Sequence, residues 1–162
     1  MGLTFVETKG SLKRFRRTSW RFQQTFHIPH KELQPFVAGI IACLQPIQAG
    51  CVTIEQVVFE PRNLNALFAR HSIATIGRGD TRHFQDWSIS CNGQEDVEEL
   101  LRVVFSEAID FVFVPTPKRF TIYADHDEYA TFFSITKGHL SRVVHGLTEQ
   151  GFQPVPDYER QI

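Results

Sequence analysis

DFVFVPTPKRFTIYADHDEYATFF (Asp110 to Phe133) is the stretch whose reading decides the fold. Two apolar runs rich in β-formers, DFVFV and RFTIYA, flank PTPK, which predicts a hairpin with a proline-stiffened loop. The following four residues, Asp125, His126, Asp127 and Glu128, are all ionisable. They read as a helix start. Asp125 takes the N-cap position, and Glu128 three residues on can answer a free amide. Asp127 suits the positive end of the helix dipole. Tyr129, Phe132 and Phe133 then recur at i, i+3, i+4.

Upstream of this stretch the clearest helix is NGQEDVEELLRVVFSEAI, with Asn92 as cap, Glu95 three residues later, and Val97, Leu100, Leu101, Val104 and Ala108 as its buried stripe. Downstream, KGHLSRVVHGLTEQ predicts a helix capped by Thr136 and closed by Gly151. Its inward positions are Leu140, Val143, Val144 and Leu147. Nearer the N-terminus, Trp20, Phe22, Phe26 and Ile28 alternate with polar residues, the period of a half-buried strand. Leu33, Phe36, Val37, Ile40, Ile41 and Leu44 then switch to helical spacing, with Pro35 placed in the first turn. Residues 51–61 and 84–91 read as strands, 62–71 as a short helix, and Gly77-Arg78-Gly79-Asp80 as a turn. The tail FQPVPDYERQI reads as an edge strand or a surface arm. The expected fold class is α+β: one domain over residues 1–162, with a mainly antiparallel sheet and helices packed on one face.

Bulk composition agrees with a packed domain. Of 162 residues, 42% are hydrophobic and fifteen are Phe, too apolar for a disordered chain. No run approaches the ~18 apolar residues of a membrane helix, so no membrane association is expected. MGLTFVETKG has no apolar leader core. Cys43, Cys51 and Cys91 are odd in number and form no CxxC pair, which reads as free thiols in a reducing cytoplasm. Net charge is −1, but its distribution is uneven. Residues 1–40 hold seven Lys/Arg against two acids, and residues 91–162 hold six against twelve.

Three chemistries compete for these charges. Asp125, His126 and Glu128, with Asp127 and a distant histidine such as His139 or His145, would make a metal-dependent hydrolase. Asp125, His126 and Asp127 are consecutive and do not share a helix face, so capping is the simpler reading. HIPH (His27 to His30) lacks further ligands at metal spacing. Arg14, Arg16 and Arg17 with Trp20 are the basic and aromatic mixture that binds single-stranded nucleic acid. A pI near 6.6 falls short of such binders, and nucleic acid is not the expected partner. No GxSxG elbow, complete phosphate loop or local thiol-activating motif is present, so no catalytic residue and no cofactor is assigned. The acids remain. Glu95, Asp96, Glu98 and Glu99, with Asp125, Asp127 and Glu128, form a candidate anionic surface for a basic protein partner. Phe132 and Phe133 are candidates for exposed rings at such an interface.

FVFVPTPKRFTIYADHDEYATFF, followed by LSRVV and GFQPVPDYERQ, resembles small uncharacterised bacterial cytosolic proteins that are similar to toxin-immunity proteins. The resemblance covers about a third of the chain and carries no catalytic residue. It implies a non-catalytic module that binds a protein partner, an immunity protein that neutralises a toxin by occluding its active site.

Overall fold

The computed structural model describes residues 2–78 and 86–162. Chain order is β1 (Thr4–Glu7), α1 (Ser11–Arg17), β2 (Phe22–His27), α2 (Leu33–Leu44), β3 (Ala49–Val57), α3 (Arg62–Arg70), β4 (Trp87–Asn92), α4 (Gln94–Ser106), β5 (Ile109–Thr116), β6 (Thr121–Ala124), β7 (Tyr129–Ser134) and α5 (Lys137–Glu149). Among the described residues these strands form one seven-stranded sheet of order β1-β4-β3-β5-β6-β7-β2. Every pairing is antiparallel. The chain is therefore an α+β domain with an antiparallel sheet.

Strand alternation sorts the side chains. Val52, Phe113, Ile122 and Phe132 lie in one cross-strand row, and all are buried. This row belongs to the main core, together with the apolar stripes of α2, α3, α4 and α5. Phe36 meets Phe105, and Phe105 meets Phe111, each edge to face at 5.8 and 5.3 Å. Such geometry adds about 0.5–1.5 kcal/mol per pair beyond area burial. α2 and α5 approach closely over small residues: a Cβ on Gly146 would stand 2.8 Å from Cys43 Sγ.

The opposite face is not bare. α1 crosses it, burying Leu12 and Phe15 against Val112 and Phe133. The basic positions of α1 hid this helix in the sequence, because its apolar face has only two residues. Phe132 and Phe133 are 0% and 1% exposed, one on each side of the sheet, so neither is a surface ring. Among the described residues the exposed phenylalanine is Phe59, at 63%.

The structure corrects the local reading at several caps. Asn92 ends β4, and Gly93 stands at the N-cap of α4, with no side-chain cap bond. Thr136 does precede α5, yet its hydroxyl caps nothing; Ser134 Oγ accepts its N–H at 3.2 Å instead. Gly151 adopts φ 94°, and Phe152 N–H reaches back to Leu147 O, closing α5 as the glycine signal implies. Of the expected Gly77–Asp80 turn and the strand from Phe84, residues 79–85 lie outside the described residues.

The tail runs along the free edge of β2. Val155 N–H donates to Thr25 O at 2.8 Å, and Pro154 bridges Phe26. Covering an edge strand in this way removes a row of unpaired backbone groups.

Candidate functional site

Asp125 to Glu128 do not begin a helix. They are the turn of the β6–β7 hairpin, in which Ala124 pairs Ala130. Asp125 N–H donates to Tyr129 O at 3.1 Å, and Glu128 N–H to Asp125 O at 3.3 Å. His126, Asp127 and Glu128 thus form a three-residue loop. In such loops the last position takes the left-handed conformation, usually with glycine. Here it is Glu128, at φ 70°. Asp125 still ties off an amide, since Oδ1 accepts Tyr129 N–H at 3.1 Å, but it serves a hairpin and not a helix. The helical spacing of Tyr129, Phe132 and Phe133 was misleading because this strand is covered on both faces. Both of its side-chain rows are apolar enough to hide the period of two. Its composition, Tyr-Ala-Thr-Phe-Phe, was the β signal available.

Each ionisable side chain of the turn has a different partner. Asp125 Oδ2 lies 2.5 Å from Arg160 Nη2 in the tail, with both side chains about 10% exposed. His126 Nδ1 donates to Asp110 Oδ1 at 2.8 Å, and His126 N–H reaches the same oxygen at 2.8 Å. Asp110 is buried on β5. This hydrogen bond favours the imidazolium and raises the His126 pKa above 6.5. Glu128 Oε1 stands 3.4 Å from His30 Nε2, both well exposed. Asp127 projects into solvent, 3.8 Å from His126 Nε2.

Arg160 organises this end of the sheet face that α1 crosses. Its Nε donates to Thr131 Oγ1 at 2.9 Å, and Thr131 and Thr25 share a hydroxyl bond of 2.8 Å. Its guanidinium lies 4.8 Å from the Tyr123 ring centre and 5.8 Å from that of Tyr158. Tyr158 in turn stacks on Tyr129. Gln23 clasps the Arg160 backbone from both sides, accepting its N–H and donating to its carbonyl. Burial, and then the Asp110 charge, raise the pKa of Tyr123. Sequence reasoning assigned no role to Asp110, Arg160 or Tyr123, which come together only through strand pairing and the path of the tail.

The expected site residues separate accordingly. Asp125, His126 and Glu128 face Arg160, Asp110 and His30, so the structure does not converge them on a common point. No group of three or more His, Cys, Asp or Glu side chains placed to hold a metal ion occurs among the described residues. Glu95, Asp96, Glu98 and Glu99 lie in the first turns of α4, where Gly93 N–H meets Gln48 O beside the start of β3. The β6–β7 turn is at the other end of the strands, beside the start of β5. The two acidic groups therefore do not make one continuous face. Glu99 is also engaged by Arg70 at 2.7 Å.

The basic segment divides as well. Arg16 pairs with Glu55. Trp20 donates Nε1–H to Phe15 O at 3.0 Å and packs against Phe15 and Phe133. Arg14 and Arg17 remain exposed on α1. No helix of the described residues is long and apolar enough to cross a membrane.

Comparison with protein-family models, curated proteins and solved structures finds no match to this chain.

Proposed function

We propose that this chain is a non-catalytic protein-binding module whose contact surface is the β6–β7 turn. Glu128 carries the reading. It occupies a backbone conformation that costs a non-glycine residue on the order of 1 kcal/mol, at a hairpin position where glycine is the usual choice. Its carboxylate gains no buried partner in return; it is 65% exposed, against an exposed histidine. Strain held at an exposed charged side chain is a mark of a binding surface. Asp127 beside it is 74% exposed. Beneath them, the Asp125–Arg160 and His126–Asp110 contacts hold the loop in one shape, which lowers the ordering cost of association. Phe59 leaves the end of β3 at this same end of the sheet and supplies apolar area.

The partner that fits is a protein with a basic cleft. Acids held on a rigid loop speed encounter with such a cleft and exclude acidic competitors. The most specific form of the reading is an immunity protein seated in the active site of a toxin. The test is affinity capture from the native cell by the wild type and by a variant carrying Asp127→Lys and Glu128→Lys. The expected result is a 1:1 complex with a basic protein that the variant binds at least about tenfold more weakly, with inhibition of that protein's activity. Equal capture by both proteins, or turnover of a substrate by this chain alone, would overturn it.

A further inference from the structure

At the other end of the face that α1 crosses, this helix does not close completely onto the sheet. It leaves a cleft of about 290 Å³, with Ser11, Arg14, Phe15 and Thr18 of α1 on one side. Thr53, Val112 and Thr121 of the sheet lie beneath it, and Trp20 and Lys118 stand at its rim. The volume is at the small end of ligand pockets.

Two independent features mark the cleft as built for a polar guest. The first is in its floor. Thr121 is 1% exposed, and its Oγ1 is buried with no hydrogen-bond partner among the described residues. The other threonine hydroxyl of the floor, Thr53 Oγ1, is engaged, at 2.6 Å from Ser88 Oγ and 3.2 Å from Ser11 Oγ. A lone buried hydroxyl costs about 1–3 kcal/mol unless something satisfies it. The second feature is charge. Arg14 and Lys118 line the cleft, and among the described residues neither has a carboxylate within ion-pair distance. The Lys118 ammonium instead sits 5.2 Å from the centre of the Trp20 ring. Phe15 and Trp20 supply flat apolar walls.

We propose that this cleft binds a small organic anion, with a flat apolar body against Phe15 and Trp20. Its phosphate or carboxylate is met by Arg14 and Lys118, and Thr121 donates a hydrogen bond to it. The site goes beyond the protein-binding reading and lies away from the β6–β7 turn, so the failure of one leaves the other standing.

The chain has two tryptophans, and Trp87 is 41% exposed, so Trp87→Phe leaves Trp20 as the only indole reporter at little structural cost. In that background phenyl phosphate is titrated against Trp20 fluorescence, with benzyl alcohol and inorganic phosphate as controls. The expected result is a saturable change with Kd below about 1 mM for phenyl phosphate, weakening as salt rises. Both controls bind at least about tenfold more weakly, since each supplies only half of the recognition. Lys118→Gln weakens phenyl phosphate about tenfold, and the near-isosteric Thr121→Val about threefold or more, with unchanged far-UV circular dichroism. Absence of saturation, equal binding of either control, or indifference to both substitutions in folded protein would show a cleft that holds only water or adventitious ions, and would overturn the proposal.

Discussion

Arg160 Nη2 and Asp125 Oδ2 lie 2.5 Å apart, each side chain about nine-tenths buried, and this pair fastens the tail to the β6–β7 turn. Removing one member of such a pair leaves an uncompensated charge, at a cost of about 3 kcal/mol. Arg160→Met is expected to destabilise the protein by that order in urea unfolding. Asp125→Asn keeps an oxygen for Tyr129 N–H and loses only the charge, whereas Asp125→Ala loses both. The combined Arg160→Met, Asp125→Asn variant should be less destabilised than the sum of the singles. Strict additivity would show that the two groups do not interact.

The His126–Asp110 contact makes stability depend on pH in a defined direction. The histidine pKa is raised in the folded state above 6.5 by the Asp110 hydrogen bond. Its contribution is therefore fully present below pH 6.5 and is lost as pH rises through the folded-state pKa. The stability gap between wild type and His126→Gln should shrink as pH increases across that window. NMR titration of His126 should give a pKa above 6.5 that falls on Asp110→Asn. A gap that widens with pH would contradict the assignment.

Glu128→Gly relieves a left-handed conformation in a side chain that forms no buried contact. Thermal or urea unfolding should show unchanged or increased stability, by up to about 1 kcal/mol. Affinity for the captured partner should fall at the same time. A clear loss of stability would mean that the carboxylate has a structural role that the turn geometry does not reveal.

Gly50 on β3 is fixed by close approach. A Cβ there would stand 2.7 Å from Cε2 of Phe113, a ring that is 0% exposed and locked in the core. Gly50→Ala should cost about 1–3 kcal/mol, read from the urea midpoint at constant m-value. Gly138 is the control: a Cβ there would meet nothing within 4 Å, and alanine should be neutral or mildly stabilising.

Burial raises the pKa of all three thiols, and that of Cys91 is pushed up to about 12. Few thiolates are present near neutrality, so a disulfide reagent should label the native protein slowly. Cys91, fully buried and bonded to Gly50 O, should be labelled last. Urea should make all three react at the rate of free cysteine. Rapid labelling of Cys91 in native buffer would be inconsistent with this core.

Local pattern fixed much of the architecture. The stripes of α2, α4 and α5, the β5–β6 hairpin, the alternation in β2 and the glycine stop at Gly151 were all legible, because each rests on spacing between near neighbours in the chain. So was the antiparallel α+β class, which follows from the order of those elements. The nature of the 125–133 segment was not legible. Its acids satisfy the rule for a helix cap and its rings the spacing of a helix. What makes it a strand is the pairing of Tyr129–Ser134 with β2 on one side and β6 on the other. Burial on both faces then replaces the alternation by which a strand is normally recognised. The partners of Asp125, His126 and Glu128 belong to the same class of fact. Arg160, Asp110 and His30 are distant along the chain, and sheet register and the path of the tail bring them near. Sequence settled the elements whose apolar spacing repeats over several turns or alternations, because that depends on local sterics and periodicity. Tertiary structure alone settled which charges meet, because a Coulombic or hydrogen-bonded contact acts through space and leaves no periodic trace in the chain.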